Sequence, residues 1–303
     1  MNLPEIQAFI AVAETGSVNR AAAQLRLTQP AITRRIQNFE AALGNPPLFD
    51  RSVKPAVLTG VGNQVLEHCR RVINAVADLE TAASDAGNPA GDLRVGVAHG
   101  LEGVLLTGPL QVLRERFQRL RLQVAANWTA GLLDQVRSGE LDCAVVLLSS
   151  AHVVPRGVSR LSIASEKILL LSSSLTSTRL DRKPWHLRDL ASETWILNPL
   201  GCGCRAALCA AFDRQRLSIF IGAEVFGEEL QMSLLSRSGG VGLVPRLQFR
   251  RSEHRHSLNV LELVDFDLDA TVALVRREAP GRFDAPVDLL ATELKALVAA
   301  ELA

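Results

Sequence analysis

The stretch LTQPAITRRIQNFEAALG, from Leu27 to Gly44, carries the start, the two faces and the end of one helix. Thr28 can cap its first turn, and Pro30 stands where the backbone donor that it lacks is not needed. At about 100° per residue the apolar side chains fall on one side, and these are Ile32, Ile36, Phe39 and Leu43. The pattern predicts a helix that buries this face, leaves the opposite face free and ends at Gly44.

The free face of this helix carries side chains that suit the edges of bases, namely Pro30, Thr33, Arg34 and Gln37. Arginine pairs with guanine and glutamine with adenine, and a proline or threonine carbon can meet a thymine methyl group. Six basic and two acidic residues between Ser17 and Pro55 give this region a net charge of +4, whereas the whole chain carries +1. Because phosphate contact requires such a local excess of cations, we predict double-stranded DNA as a partner.

Two shorter helices precede this segment. The first has an apolar stripe at the spacing i, i+3, i+4 and i+7, formed by Ile6, Phe9, Ile10 and Ala13. Gly16 ends it, and Ser17 can cap the second helix, whose small apolar residues permit close helix approach. Arg26 and Leu27 then form the turn, so the sequence predicts a compact unit of three helices.

Downstream, the segment NPPLFDRSVKPAVLTG predicts a short hairpin or wing. From it Arg51 and Lys54 could reach the DNA backbone or the minor groove. Thr59 can cap a long helix in which apolar residues recur every four and three positions, a heptad seam of Val65, Cys69, Val72, Val76 and Leu79. We expect this seam to dimerise the chain; an amphipathic helix that lies on its own domain is the alternative.

The composition limits the function classes. With 303 residues and 48% hydrophobic content, the chain can form about two domains with real cores, which excludes a disordered protein. We expect neither a signal peptide nor a membrane span, because no apolar run is long enough, and hence a soluble cytoplasmic protein. The five cysteines, an odd number, do not form a disulfide framework, which favours a reducing compartment.

From Leu93 onward, short β runs alternate with helical stretches. One set contains LRVGVA, LRLQVAANW and CAVVLL, and a second contains KILLLSS, IFIGAEVF and GVGLVP. Such alternation predicts parallel sheets covered by helices. Two similar α/β units in sequence also predict a cleft between them, where such folds bind small ligands.

The order and spacing of LTQPAITRRIQNFEAALG, PLFDRS, LTGVG and GDLRVGV resemble the LysR-type transcriptional regulators over essentially the whole chain. The resemblance implies an N-terminal winged helix-turn-helix over 1–60, a dimerising linker helix and hinge over 61–90, and a two-lobed α/β effector-binding domain over 91–303. The last resembles type 2 periplasmic binding proteins. Its lobe I would comprise 91–163 and 265–303, and its lobe II 164–264. Such regulators are usually homotetramers.

The same resemblance implies which residues contact the two ligands. Thr28 and Gln29 would enter the major groove with Pro30, Thr33 and Arg34, and Arg51 would serve the wing. A small-molecule effector would lie between the lobes, near His99, Gly100, Leu101, Trp128, Thr129, Pro199, Gly201 and Cys202. The family often places Ser or Thr where this chain has His99 and Gly100, which weakens the case for a simple carboxylate. An anion is still one expectation, because glycines in NPLGCGCRAALC expose backbone amides at a helix start.

The cysteines of that segment allow three interpretations. Cys202, Cys204 and Cys209 could pack as small apolar residues, contact the effector, or sense oxidants or metals. A redox-responsive regulator is therefore the alternative to an effector-binding one. We expect no metal site, because Cys-Gly-Cys is shorter than the spacing of zinc sites and arginines surround His254 and His256.

An α/β enzyme is the rival from another class. The sequence lacks GxGxxG after a strand, a P-loop, HExxH and GxSxG, so we predict neither an enzyme nor a cofactor.

Overall fold

The computed structural model describes residues 1–50, 52, 55–83, 89–105, 107–149, 152–173, 185–279 and 281–302. The chain divides into two compact units. The N-terminal unit is Met1–Asn88 with Ser138–Glu140, and the C-terminal unit is Pro89–Arg137 with Leu141–Ala303. Arg51 and Lys54, which we expect in the wing, lie outside the described residues.

The N-terminal unit contains three short helices, a small hairpin and one long helix. In chain order these are α1 (Leu3–Thr15), α2 (Val18–Leu25), α3 (Gln29–Ala42), β1 (Phe49–Asp50), β2 (Val57–Leu58) and α4 (Gly60–Ala83). The two strands pair antiparallel. Ser17 and Thr28 cap α2 and α3 as the sequence predicts, each accepting a backbone N–H of the first turn. Arg26 adopts the left-handed conformation, with φ 54°, and thereby turns the chain between α2 and α3.

The core of this unit lies between α1, α2 and α3. It contains Ala8, Ala11, Val12, Ala21, Ala22, Ile32 and Ile36, and a second cluster joins Ile6, Phe9, Phe39 and Leu48 to the start of α4. The predicted buried stripe of α3 is present for Ile32, Ile36 and Phe39. The prediction for Leu43 is wrong: it is the C-cap of α3 and is 38% exposed, because the helix ends at Ala42 before its last predicted turn is complete.

The apolar seam of α4 divides into two parts. Val65 and Cys69 lie against the second core cluster of their own unit, as the amphipathic alternative expects. Burial raises the pKa of the Cys69 thiol to about 11. Val72 is 43% exposed and Leu79 is 70% exposed. Within the described residues, therefore, the apolar side chains of the seam are exposed only in its second half, at Val72 and Leu79.

The C-terminal unit carries nine strands in its described residues, in the order β4-β3-β5-β11-β6-β9-β7-β8, with β10 paired to β6. The strands are β3 (Gly91–Ala98), β4 (Leu120–Asn127), β5 (Cys143–Ser149), β6 (Val158–Ser173), β7 (Thr194–Leu197), β8 (Phe220–Glu224), β9 (Val241–Pro245), β10 (Leu258–Leu261) and β11 (Asp269–Arg277). The helices are α5 (Glu102–Leu105), α6 (Thr107–Arg116), α7 (Thr129–Ser138), α8 (Gly203–Arg214), α9 (Glu228–Ser238), α10 (Arg246–Arg251) and α11 (Asp284–Leu302).

One long strand joins the two lobes of this unit. The first part of β6, from Val158 to Lys167, pairs antiparallel with β11. Its second part, from Ile168 to Ser172, pairs antiparallel with β9. The expected parallel pairing holds for β3 with β4 and β5, and for β7 with β8 and β9. The expectation of wholly parallel sheets is incomplete, because β6 and β11 return the chain between lobes and must run antiparallel to their neighbours.

The strand ends at the lobe junction are fixed by a continuous apolar core. Every residue of β5 is buried, and α11 packs on α6 at the outer face of the first lobe. In the part of the chain that the structure describes, no helix is both long enough and apolar enough to cross a membrane.

Candidate functional site

The first candidate site is the outer face of α3. Thr28, Gln29, Pro30, Thr33, Arg34 and Gln37 are all exposed, whereas Ile32 and Phe39 on the opposite side are buried. The Thr33 hydroxyl donates to the Gln29 carbonyl at 3.1 Å, which fixes its rotamer and turns its methyl group into a defined contact surface. The structure thus brings the six predicted side chains of α3 together on one accessible face.

This face borders an open pocket with a volume of about 680 Å³. The start of α2 contributes Ser17 and Arg20, α3 contributes Gln29, Thr33 and Gln37, and the hairpin contributes Asp50. Hydrogen bonds from the Ser52 hydroxyl and backbone N–H hold the pKa of Asp50 below its usual range. A DNA strand that enters this pocket would meet the polar face of α3, the first turn of α2 and two carboxylates, Glu40 and Asp50.

The second candidate site is the cleft between the lobes of the C-terminal unit. Three aromatic rings close it: His99 lies 4.7 Å from Trp128 and 5.6 Å from Phe226, and Trp128 stacks on Phe226 at 5.8 Å between ring centroids. His99 and Trp128 follow β3 and β4 of one lobe, and Phe226 follows β8 of the other. Only about 30 Å³ remains open behind the rings, the space of about one water molecule.

Two buried polar side chains of the second lobe line this cavity. Asn198 follows β7 and donates through Nδ2 to Glu228 Oε1 at 3.3 Å. Its own Oδ1 is buried and accepts no hydrogen bond. Burial raises the pKa of Glu228, and the nearby Glu102 carboxylate adds to the increase. The cavity therefore presents two acceptor groups that are poorly solvated.

The first lobe approaches Glu228 through Gly100. A Cβ at Gly100 would lie 2.5 Å from Glu228 Oε1, and the residue has φ +86°, so both the space and the backbone require glycine. Gln248 of α10 donates to the Gly100 carbonyl and so ties the second lobe to this turn. Glu102 holds the turn from the other side: it accepts from the Gly100 N–H at 2.9 Å and lies 3.2 Å from His99 Nδ1.

Cys202 occupies the N-terminal end of α8 at the same cavity. A hydrogen bond from the Cys204 thiol, together with the backbone N–H groups of Cys204 and Arg205, lowers the pKa of Cys202 to about 7 against the effect of burial. The same pairing raises the pKa of Cys204. All five cysteines are free thiols.

The structure places the predicted effector residues unequally. His99, Trp128, Thr129 and Cys202 line the cavity. Gly100 does not line the cavity but packs against Glu228, which does. Gly201 packs against the Trp128 ring, from which a Cβ at this position would lie only 2.6 Å away. The prediction for Leu101 is wrong as a side-chain contact, because Leu101 is fully buried in the hydrophobic core. Pro199 is half-buried beside Asn198 and does not line the cavity.

Sequence reasoning missed several residues of the cleft. Ser149, His152, Asn198 and Glu228 line it, and Phe226 covers it. His152 accepts from the Ser149 N–H at 3.1 Å and packs on Gly203, and burial lowers its pKa. These residues lie at the ends of elements or in the loops between them, so no periodic pattern marks them. The signal available for Asn198 and Glu228 is their position just after a strand and at a helix start, on the edge where ligands bind.

No group of three or more His, Cys, Asp or Glu side chains that could hold a metal ion occurs among the residues that the structure describes.

Comparison with known proteins identifies both parts of the chain. Residues 3–63 match the model of the bacterial regulatory helix-turn-helix proteins of the lysR family, and residues 86–295 match that of the LysR substrate binding domain. The HTH-type transcriptional regulator YofA of Bacillus velezensis is 24% identical over 275 residues, 91% of either chain. A probable hydrogen peroxide-inducible genes activator of Mycobacterium xenopi is 34% identical over 169 residues, which are 55% of this chain and 87% of that protein.

Among solved structures, a full-length OxyR variant from Pseudomonas aeruginosa has a similar fold, with a TM-score of 0.75 at 20% identity. The likeness covers 97% of this chain and 95% of that one.

Proposed function

We propose that this chain, which belongs to the LysR family of transcriptional regulators, reads operator DNA with the exposed face of α3 and responds to a small molecule held between its two lobes. The family consists of DNA-binding regulators, which excludes the rival interpretation as an α/β enzyme. The observation that carries the proposal is the separation on α3, where the apolar side is buried and the side with Arg34 and Gln37 is free. Arginine and glutamine at such positions read guanine and adenine in the major groove.

The test is selection of bound fragments from genomic DNA by the purified full-length protein, followed by footprinting of the best fragment. We expect two separated, palindromic half-sites, because a dimer places its recognition helices about one helical turn of DNA apart, or a multiple of it. A protein that bound every duplex no better than random DNA at physiological salt would disprove the proposal.

We infer that the effector binds in the cavity beside His99, Trp128 and Cys202. A ligand that binds one degree of lobe closure better than another shifts the population toward that state. In an oligomer this shift changes the spacing of the DNA-binding units, and with it the bend of the bound DNA.

We further propose that the chain forms a dimer through α4, with a dimer of dimers as the working assembly. The exposed Val72 and Leu79 with the half-buried Val76 offer the apolar surface for a second copy of the helix. Our proposed domain limits remain 1–60, 61–90 and 91–303, with the lobes of the last domain divided at 163/164 and 264/265.

A redox-responsive regulator is the second candidate function. The observation that favours it is Cys202, whose pKa of about 7 makes it partly thiolate at neutral pH, hydrogen-bonded to a second thiol. One relative carries the name of a peroxide-inducible genes activator. Thiol titration before and after mild peroxide, together with DNA affinity, tests this candidate; unchanged thiols or unchanged affinity would eliminate it.

A further inference from the structure

The cleft has a charge pattern that distinguishes between classes of effector. The residues that line its cavity include one carboxylate, Glu228, and neither lysine nor arginine. Arg205 is buried nearby, but its guanidinium donates to the Asn198 carbonyl and to Glu224 Oε1, both at 3.1 Å. His99 lies against Glu102, so a proton on its ring would already face a carboxylate. A carboxylate ligand would therefore find no uncommitted formal positive charge on these lining residues.

The helix start that would favour an anion carries a thiol of the protein itself. Amides at a helix start are the usual site for a ligand carboxylate or phosphate. Cys202 is the N-cap residue of α8, is buried and lines the cavity, although its side chain makes no capping hydrogen bond. Its pKa is lowered to about 7, so a partly ionised thiol at this position would repel an anion.

The unsatisfied polar group in the cavity needs a donor. Asn198 is only 6% exposed, lines the cavity, and has a buried Oδ1 without a hydrogen-bond partner. Such a group costs free energy unless a ligand or an ordered water donates to it. Glu228, which accepts from Asn198 Nδ2, adds a second acceptor at the same place. The donor that satisfies both groups best is a cation.

We propose that the effector is a small protonated amine, whose ammonium group occupies the cavity and donates to Asn198 Oδ1 and the Glu228 carboxylate. The inference rests on the proposed function, since it names the ligand class of the same cleft. The cavity of about 30 Å³ has room for the ammonium head alone. Trp128 lines the cavity and offers its ring to the ammonium group, whereas the rest of the ligand must displace the outer part of the ring stack, where Phe226 packs on Trp128.

The experiment uses the full-length protein and probes of one shape. Calorimetric titration at neutral pH and constant ionic strength compares propylammonium, propionate and propanol; the amine is protonated under these conditions. We expect propylammonium to bind at one site, about tenfold to a hundredfold more tightly than propionate or propanol, because hydrogen bonds to a charged group exceed neutral ones.

Two variants assign this binding to the cleft. Glu228→Gln keeps the shape and removes the charge, so propylammonium affinity should fall about tenfold or more while propanol affinity stays the same. Phe226→Leu, at a side chain that is 60% exposed, avoids the risk of misfolding and should weaken propylammonium a few-fold, because it removes the ring that packs on Trp128 over the ligand's alkyl chain. Glu229→Gln is the matched control, because Glu229 is exposed, bonds to Ser252 Oγ at 3.1 Å and lies outside the cavity.

Each outcome of these titrations either supports or overturns the proposed amine effector. Tighter binding of propionate would overturn the amine and leave an effector cleft intact. Absence of binding by propylammonium, or binding that neither Glu228→Gln nor Phe226→Leu weakens, would also overturn it and leave Asn198 to a buried water. The proposed function fails separately, when the same preparation selects no preferred DNA fragment.

Discussion

The proposed DNA-reading face and the proposed effector cleft of this chain are built in opposite ways. The side chains proposed to contact DNA, Thr28, Gln29, Pro30, Thr33, Arg34 and Gln37, belong to α3 and its N-cap, and all are exposed. In the cleft the polar groups come from separate strand ends, and the space between them is about 30 Å³. A long duplex must meet an open surface, whereas a small ligand is recognised by being enclosed. A substitution in the cleft should therefore act through packing and buried charge, and one on α3 through direct contact.

The largest effect should come from filling the contact between the lobes. Gly100→Ala forces a Cβ to within 2.5 Å of the Glu228 carboxylate at φ +86°. Glu228 is buried and has little room to move. Left-handed backbone costs about 1–2 kcal/mol for a non-glycine residue and overpacking about 1–3 kcal/mol more. We expect a clear loss of stability in urea unfolding with base preference unchanged.

Gly103→Ala is the control for this substitution. Gly103 lies in the short helix α5 that follows the turn, and a Cβ there meets nothing within 4 Å. Because alanine favours helix over glycine, the substitution should be neutral or slightly stabilising. Equal unfolding midpoints for the two variants would show that Gly100 is not pressed against Glu228.

The second largest effect should be on base preference. Arg34→Ala removes an exposed guanidinium from the free face of α3. Loss of one bidentate base contact costs about 1–3 kcal/mol of discrimination. In gel-shift titrations the preferred site should lose affinity and a scrambled duplex should lose much less.

Arg35, the next residue, provides the matched comparison, because it is half-buried beside the core-facing side of α3. Arg35→Ala should weaken all duplexes alike. If Arg34→Ala also weakened every sequence equally, the assignment of this face to the major groove would be wrong.

The sequence predicts the α3 face better than the cleft, because the α3 face belongs to one helix and the cleft is assembled from separate strand ends. The α3 face is local, so helical periodicity predicts Ile32, Ile36 and Phe39 as buried and Arg34 as free. Leu43 shows the limit, because periodicity does not determine the residue at which a helix stops. Val65 and Cys69 show a second limit, since a heptad pattern marks an apolar face and does not specify what covers it.

The cleft is assembled by the sheet topology. His99, Trp128, Asn198 and Glu228 are far apart in sequence and meet because strand ends of both lobes converge on the junction around β6. The family resemblance predicts His99 and Trp128. Single polar residues after strands carry no period, so Asn198 and Glu228 require the fold. The expectation of an anion rests on the glycines near Cys202, and only the structure shows that the buried Cys202 thiol stands at this helix start and lines the cavity.

A smaller effect is expected on the pH dependence of stability. Glu166 lies on β6, is buried and accepts the Leu247 N–H at 2.8 Å; burial raises its pKa nevertheless. The folded state therefore binds this proton more tightly than the unfolded state does. Its contribution to stability is present at low pH and is lost as pH rises from the unfolded value, about 4.3, through the raised folded value.

Glu166→Gln keeps an acceptor for Leu247 and removes this titration. The difference in unfolding free energy between variant and parent should shift in favour of the variant as pH rises through that window, and be flat above it. Urea unfolding at several pH values measures it. A difference that is constant across the window would show that Glu166 is solvated in the native protein.

The smallest effect should come from the wing, where Lys54 is expected to contact phosphate without reading a base. Lys54→Ala should weaken the preferred site and a scrambled duplex by the same factor. It should also reduce the slope of log affinity against log salt by about one, because one fewer counterion is released on binding. Fluorescence anisotropy across a salt series measures both quantities. A loss confined to the preferred sequence would instead place Lys54 among the base-reading residues, and extend the open surface of α3 into the hairpin.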